Sequence, residues 1–264
     1  MISVTILTKN SEQYLEKVLL SLSSFDEVVV LDTGSTDTTL EIAKKFSFVS
    51  VHEHPFIGFG PTHNVASRLA KHQWILSLDS DEIMTPELAD HIHKLQLDDH
   101  SVYSFGRTNF YRNKHIRGCG WYPDRVIRLY NKTITCFSDA LVHESLVTDN
   151  VSVVCLPYSV LHFPYNSVSS FLQKMNMYTD LFAKQHPKKT ASLWTAVFHG
   201  LFAFFRSYIL QRGFLLGSEG FEISWFNMNC AFYKYAKVAE RLRNERAETN
   251  TLLWPEEKGR SETS

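Results

Sequence analysis

The chain has 264 residues, of which 44% are hydrophobic, 13% aromatic and 21% charged, enough to build one large domain or one domain with an appendage. That balance excludes a chain disordered throughout, a collagen-like repeat and a disulfide-stapled miniprotein. Lys and Arg number 27 against 28 Asp and Glu, a formal net charge of -1, so the molecule lacks the cationic field of a dedicated nucleic-acid binder.

From Met1 to about Phe105, short β-branched runs alternate with amphipathic segments, the pattern of βαβ units on a mostly parallel sheet. Strands are expected at Ile2–Thr8, Glu27–Asp32, Phe48–His52, Trp74–Leu78 and Val102–Phe105. Leu15, Val18, Leu19 and Leu22 recur at helical spacing between the first two, with Asn10 or Ser11 placed to cap the helix. A second helix is expected near Asp37, and Pro61 suits the first turn of a third. After residue 106 the texture changes to short strands at Arg125–Tyr130, Ile134–Phe137, Leu141–Val147, Val151–Cys155 and Ser159–Phe163, read as an antiparallel or mixed extension of the same sheet. Val168 to about Arg243 is helical in pattern, and Asn244–Ser264 reads as a polar, disordered tail.

The four cysteines, Cys119, Cys136, Cys155 and Cys230, form no C-x-x-C pair, so reduced thiols of a cytosolic protein are expected rather than a zinc site or disulfide framework. The amino-terminal MISVTILTKN has no basic leader and runs straight into a strand pattern, so no signal peptide is expected. The longest apolar stretch, Leu193–Phe205, is interrupted by His199 and closed by Arg206, short of the roughly 20 residues that span a bilayer.

In open α/β sheets, ligands bind beyond the carboxyl ends of the strands. Here those ends read Thr8-Lys9-Asn10, Asp32-Thr33-Gly34-Ser35-Thr36-Asp37 and Asp79-Ser80-Asp81-Glu82. Three acidic side chains directly after the buried-strand run Trp74–Leu78 repel one another unless a cation or a positively charged partner offsets them, and a divalent, oxygen-preferring metal bridging to a ligand's phosphates would do so. The alternative is a solvated turn before the helix starting near Pro86. Asp32 is placed to accept hydrogen bonds from a nucleobase or ribose, or else to cap a turn. No G-x-G-x-x-G or P-loop sequence is present, so neither glycine-rich phosphate cradle is supported.

Together, Ile2–Asn10, Val30–Thr39 and Leu76–Glu82 resemble the nucleotide-sugar half of a family 2 (GT-A fold) glycosyltransferase. Gly58-Phe59-Gly60 with Asn64, Gly120–Asp124, Leu141–Glu144, and Arg212-Gly213-Phe214 with Gly220-Phe221 resemble the lipopolysaccharide core β-1,4-glucosyltransferase group. The resemblance covers roughly residues 1–243. It implies a GT-A α/β domain over 1–165, with a nucleotide-sugar half to about 106 and an acceptor half beyond, then a helical appendage over 166–243 and the tail.

The resemblance also assigns roles. Thr8, Asn10 and Asp32 would line the nucleoside pocket with Asn64; Asp79 would face the ribose or diphosphate; Arg125 and Arg128 would contact phosphate. Asp81 and His162 would hold a divalent metal, Mg2+ or Mn2+, and Glu144 would be the catalytic base. His63 stands where related sequences usually carry a basic residue, and Ser80 and Glu82 vary the commoner Asp-Ala-Asp-Glu pattern slightly. The activity implied is inverting transfer of a hexose, glucose from UDP-glucose, to a lipopolysaccharide core or other lipid-linked glycan. A sugar nucleotidyltransferase and a non-catalytic glycolipid-binding scaffold are the rival readings.

Between Lys184 and Arg243 nine basic residues face three acidic ones, a local balance of +6, interleaved with aromatic residues from Trp194 to Tyr235. Such helices lie at anionic membranes or pack against the catalytic domain or a second subunit. With the implied acceptor, the expectation is a cytoplasmic enzyme peripheral on the inner face of the cytoplasmic membrane, with no nucleic-acid partner.

Overall fold

The structure, a computed structural model, describes residues 1–139, 145–165 and 167–253. The chain separates into two units, Met1–Ser170 and Phe171–Ser264.

The first unit runs β1 (Ile2–Thr8), α1 (Glu12–Ser21), β2 (Glu27–Asp32), α2 (Thr39–Ala43), β3 (Val49–Glu53), α3 (Phe59–Leu69), β4 (Trp74–Asp79), β5 (Glu82–Ile83), α4 (Pro86–Lys94), β6 (Ser101–Tyr111), β7 (Lys114–His115), β8 (Arg125–Asn131) and β9 (Ser152–Tyr165). These strands make a nine-stranded sheet in the order β3-β2-β1-β4-β8-β6-β9-β5, with β7 paired onto β6. β1 is parallel to β2 and β4, while β8 runs antiparallel between β4 and β6, and β9 is parallel to β6. The carboxyl ends of β1, β2, β4, β6 and β9 therefore share one edge of the sheet.

Both faces of the central strands are covered, which is why they read as continuous apolar runs rather than alternating ones. On one side Leu15, Val18 and Leu19 of α1 and Leu88 and Ile92 of α4 pack with Val28, Val30, Leu76 and Leu78. On the other, Val29, Ile75, Tyr130 and Phe137 form a smaller core. α1 starts at Glu12 after Ser11, and α4 starts at Pro86, with the Thr85 hydroxyl accepting from the Leu88 N–H.

The structure departs from the sequence reading in the second half of this unit. β6 runs on to Tyr111 because the polar residues Arg107 and Asn109, which break the apolar pattern, find partners inside the fold. The two strands expected at Val151–Cys155 and Ser159–Phe163 are one strand, β9. Its register against β6 passes from Ser104–Cys155 to Gly106–Ser159, so the intervening residues bulge, and Pro157, which has no N–H to give to the ladder, sits there. Ile134–Phe137 forms no strand; Phe137 makes an isolated bridge to Leu146. Most of the strand expected at Leu141–Val147 lies outside the described residues.

α5 (Val168–Gln185) leads into the second unit, followed by α6 (Leu193–Phe205), a π-helical turn at Arg206–Leu210, a 3-10 turn at Gly213–Leu216 and α7 (Ser218–Leu253). A capping box starts α6: Ser192 Oγ accepts from Thr195 N–H and Thr195 Oγ1 accepts from Ser192 N–H. Phe171 stacks on Phe226 at 4.0 Å, and Lys237 pairs with Asp180 at 2.6 Å. α7 continues to Leu253, past Arg243, beyond which a polar tail was expected. Among the described residues, one helical segment, Leu193–Leu210, is long and apolar enough by length and composition to cross a membrane; the π-helical turn carries the apolar stretch through Arg206, where the sequence reading ended it.

Candidate functional site

Two loops form one flank of the shared edge. Asp32, at the end of β2, is almost fully buried and accepts from Gly34 N–H, Ser35 N–H, Ser35 Oγ and Thr8 Oγ1. Burial pushes the Asp32 carboxyl up, but the Ser35, Gly34 and Thr8 donors outweigh it and hold the group below its ordinary range. Asn10 joins the same loop, its Oδ1 accepting from Thr36 N–H at 2.8 Å while its own N–H donates to Ser35 Oγ. A nucleobase reaches the Asp32 oxygens only by exchanging with one of these donors, so in this arrangement Asp32 builds the loop wall.

The other flank is a charged cluster assembled by register. His162 of β9 pairs with Asn109 of β6 on one side and with Glu82 of β5 on the other. Arg107, two residues before Asn109 and on the same face, forms a bidentate pair with Asp124, Nε to Oδ2 at 2.9 Å and Nη2 to Oδ1 at 3.1 Å. Its Nη1 lies 3.4 Å from Glu82 Oε1 and 3.8 Å from Asp79 Oδ2. Arg128 of β8, itself buried, donates to Asp79 Oδ2 at 3.0 Å. Glu82 is fully buried, and its Oε2 accepts from Asp79 N–H.

Asn109 settles the orientation of His162. Its Nδ2 donates to Trp121 O and to Asp124 Oδ2, both at 2.9 Å, so its Oδ1 is turned to His162 Nδ1 at 2.6 Å. Nδ1 therefore carries the hydrogen, and Nε2 faces Asp81 Oδ1 at 3.5 Å.

Among the described residues, four carboxylates (Asp79, Asp81, Glu82, Asp124) meet two guanidiniums (Arg107, Arg128) here, an excess of two negative charges within that set when His162 is neutral. The neighbouring groups respond. Burial and the Asp79 charge raise the Glu82 carboxyl, whereas Arg128 overcomes burial to hold Asp79 low. Burial favours neutral His162, but Asp81 outweighs it and keeps the imidazole above its ordinary value. On the floor, His63 is buried, stacked on Phe137 at 4.6 Å with Nδ1 3.1 Å from Ser77 Oγ. Burial and the Arg128 charge push it down to about 3, so it stays neutral.

The donor set fits a divalent cation. Asp79, Glu82 and His162 each bring one ligand atom within 4.8 Å of the others. The Asp79 and Glu82 oxygens, however, already face Arg128, Arg107 and a backbone N–H. Asp81 keeps part of its carboxylate exposed and points it at the Nε2 of an imidazole whose other nitrogen is hydrogen-bonded, the arrangement metal-binding histidines usually have. Carboxylate and imidazole together could hold Mg2+ or Mn2+.

The sequence profile described as Glycosyl transferase family 2 matches residues 3–145, more than half of the chain. The chain belongs to glycosyl transferase family 2. As a member of that family it is an enzyme of nucleotide-sugar type, and the sheet of its first unit, with helices on both faces, is the expected GT-A fold. An uncharacterised glycosyltransferase of Rickettsia bellii is 28% identical over 90% of this chain and 86% of its own length. The lipopolysaccharide core biosynthesis glycosyltransferase LpsC of Rhizobium meliloti is 24% identical over 91% of this chain and 92% of its own. The crystal structure of S. aureus TarS 1–349 in complex with UDP-GlcNAc is similar with a TM-score of 0.47 and 16% identity, covering 92% of each chain.

Within this family 2 chain the structure brings Asp79, Arg128, Asp81 and His162 together, and sets Thr8 and Asp32 at the ends of β1 and β2 with Asn10 in the loop after β1. Asn64 and Arg125 are engaged elsewhere. The Asn64 amide pairs with the backbone of Phe137 through both ends, at 2.9 Å each. Arg125 Nη2 donates to the carbonyls of Ser104 and Leu156, fastening β6 to the β9 bulge. The expected base, Glu144, lies outside the described residues. Sequence reasoning missed Arg107 and Asn109; the available signal was two polar residues at strand period on one face of an otherwise apolar run.

Proposed function

We propose that the enzyme is an inverting, metal-dependent hexosyltransferase that moves glucose from UDP-glucose to a lipopolysaccharide core or other lipid-linked glycan. The observation that carries the metal-dependent part is the charge deficit of the cluster, with Asp81 and His162 Nε2 facing each other at its rim. Support for the acceptor class comes from similarity along nearly the whole chain to LpsC, which bears a lipopolysaccharide core biosynthesis name. Glucose and uridine come from the resemblance of the motifs alone.

In this mechanism the acceptor hydroxyl oxygen bonds to the anomeric carbon as the bond from that carbon to the diphosphate oxygen breaks, and the nucleoside diphosphate leaves. Glu144 takes the hydroxyl proton. Asp81 and His162 would hold a divalent cation, which would supply a Lewis acid for the charge growing on the leaving diphosphate. Arg107, Asp124 and Asn109 hold His162 and the carboxylates in place. One base and one direct displacement invert the anomeric configuration.

The test is a panel of nucleotide sugars incubated with the full chain and core acceptor, with Mn2+ or with chelator. Transfer from UDP-glucose is expected with metal, falling at least a hundredfold in Asp81→Asn and on chelation. Equal turnover without metal and in Asp81→Asn overturns the metal-dependent mechanism, and turnover with a different donor overturns the donor assignment.

A further inference from the structure

The hairpin of α6 and α7 is built inside-out for a helix pair in water. The buried positions of its seam include Ala196, Gly200, Ser207, Gly220 and Ser224. Ser207 Oγ lies 3.0 Å from Ser224 Oγ, Asn227 Nδ2 donates to Ser207 Oγ at 2.9 Å, and Ser224 Oγ donates to Gly220 O. A side-chain carbon at Gly200 would meet Met228 O at 3.3 Å, and one at Gly220 would strike the backbone of Gly213. Small residues allow the backbones to approach and hydroxyls tie them, the packing used where the surrounding medium is itself apolar.

Ile223 and Val238 of α7 are buried, but the large apolar residues of α6 mostly face outward. Trp194, Phe198 and Leu201 are 70%, 69% and 59% exposed, and Phe202, Leu210 and Leu215 are exposed to a similar degree. In water this arrangement forgoes the burial that holds helix pairs together.

Cations gather at the open end of the hairpin. His199, midway along α6, stacks on Tyr235 of α7 at 3.9 Å, and Lys189, just before α6, lies 5.2 Å from the same Tyr235 ring. Lys189 and Lys234 reach the same Phe182 ring, at 5.3 and 5.4 Å, and Lys188 is exposed next to Lys189. An apolar outer face with cations at its base is complementary to an anionic bilayer: acyl chains against the aromatics, phosphates against the lysines.

We propose that the outer face of the α6–α7 hairpin docks on an anionic phospholipid surface. The inference rests on these helices alone and stands or falls independently of the transfer chemistry.

The test is flotation of the full chain with vesicles of phosphatidylcholine, or of an equal mixture of phosphatidylcholine and phosphatidylglycerol. The chain is expected to float with the mixed vesicles, and bromine on the acyl chains is expected to quench its tryptophan fluorescence. Phe198→Glu with Phe202→Glu should weaken binding on the order of a hundredfold. Lys188→Glu with Lys189→Glu should weaken it about tenfold or more, and only on the mixed vesicles. Circular dichroism and Mn2+ binding of each variant show whether the fold and the first unit's site survive. Failure of the wild-type chain to float, binding unchanged by the aromatic pair, or a dimer that covers Phe198 and does not float overturns the proposal.

Discussion

Arg107 carries more of the cluster than any other side chain, and its replacement by Met is the sharpest test of the electrostatic reasoning. Met keeps much of the stem volume and removes the guanidinium that meets Asp124 in bidentate fashion and lies near Glu82 and Asp79. Glu82 is fully buried and already raised by burial and by Asp79, so without Arg107 it protonates or stays charged at high cost. Breaking a buried pair by removing one partner costs about 3–5 kcal/mol. Arg107 is 20% exposed and Asp124 22%, and that partial solvation places the expected loss at the lower end, about 3 kcal/mol. For a unit of this size that lowers Tm by about 6–12 °C. The assay is urea and thermal unfolding of wild type and Arg107→Met across pH. As pH falls the variant should recover relative to wild type, because protonating Glu82, whose carboxyl is already raised by burial and by Asp79, removes repulsion that Arg107 had offset. A loss below about 1 kcal/mol at neutral pH, or a loss that does not change with pH, refutes the claim that Arg107 neutralises this cluster.

Replacing Asn109 by Leu removes the acceptor that holds His162 Nδ1–H. We expect the Nδ1-protonated tautomer to lose its preference in 15N spectra of the imidazole, with Mn2+ affinity falling about 10- to 100-fold; an unchanged tautomer and affinity would show that Asn109 does not position His162. His63 titrates at its ordinary 6.5 in the unfolded chain but only at about 3 in the folded one, so between those values the unfolded state binds the extra proton and stability rises with pH. His63→Gln should therefore flatten the acid limb of the stability curve by up to about 1.4 kcal/mol per pH unit; limbs of equal slope for variant and wild type would show that His63 is not held neutral.

The first half of the fold was legible because its cause is local. Strands buried on both faces must be apolar throughout, so Ile2–Thr8 and Glu27–Asp32 could be read to the residue. The loops following them stood out because polar residues interrupt an otherwise buried pattern. The second half depends on pairing between distant segments, and periodicity does not encode that. Nothing near Arg107 in the chain announces that Glu82 and Asp124 will face it, and β6 therefore seemed to end at Phe105. Asn64 and Arg125 show the converse limit: their chemistry suits a nucleotide or a phosphate, but direction comes from packing, and both point at backbone. The notable charge feature of the carboxy-terminal half was visible as composition, whereas the small-residue seam that gives it meaning required the two helices to be paired.

The cluster itself argues that its charges are kept for chemistry rather than for stability. A buried ion-pair network is often no more stabilising than apolar side chains of the same volume, and this one holds a carboxyl, Glu82, that burial and Asp79 both disfavour as an anion. What the network does achieve is orientation. Arg107 fixes Asp124, Asp124 and the Trp121 carbonyl fix the Asn109 amide, and Asn109 fixes His162 so that Nε2 meets Asp81. Arg128 meanwhile binds Asp79 from the next strand. Each link consumes hydrogen-bonding capacity inside the protein and, among the described residues, leaves more carboxylates than guanidiniums around Asp81 and His162. A divalent cation held there by Asp81 and His162 would offset that excess without rearranging the links that created it, the kind of preorganisation on which electrostatic catalysis relies.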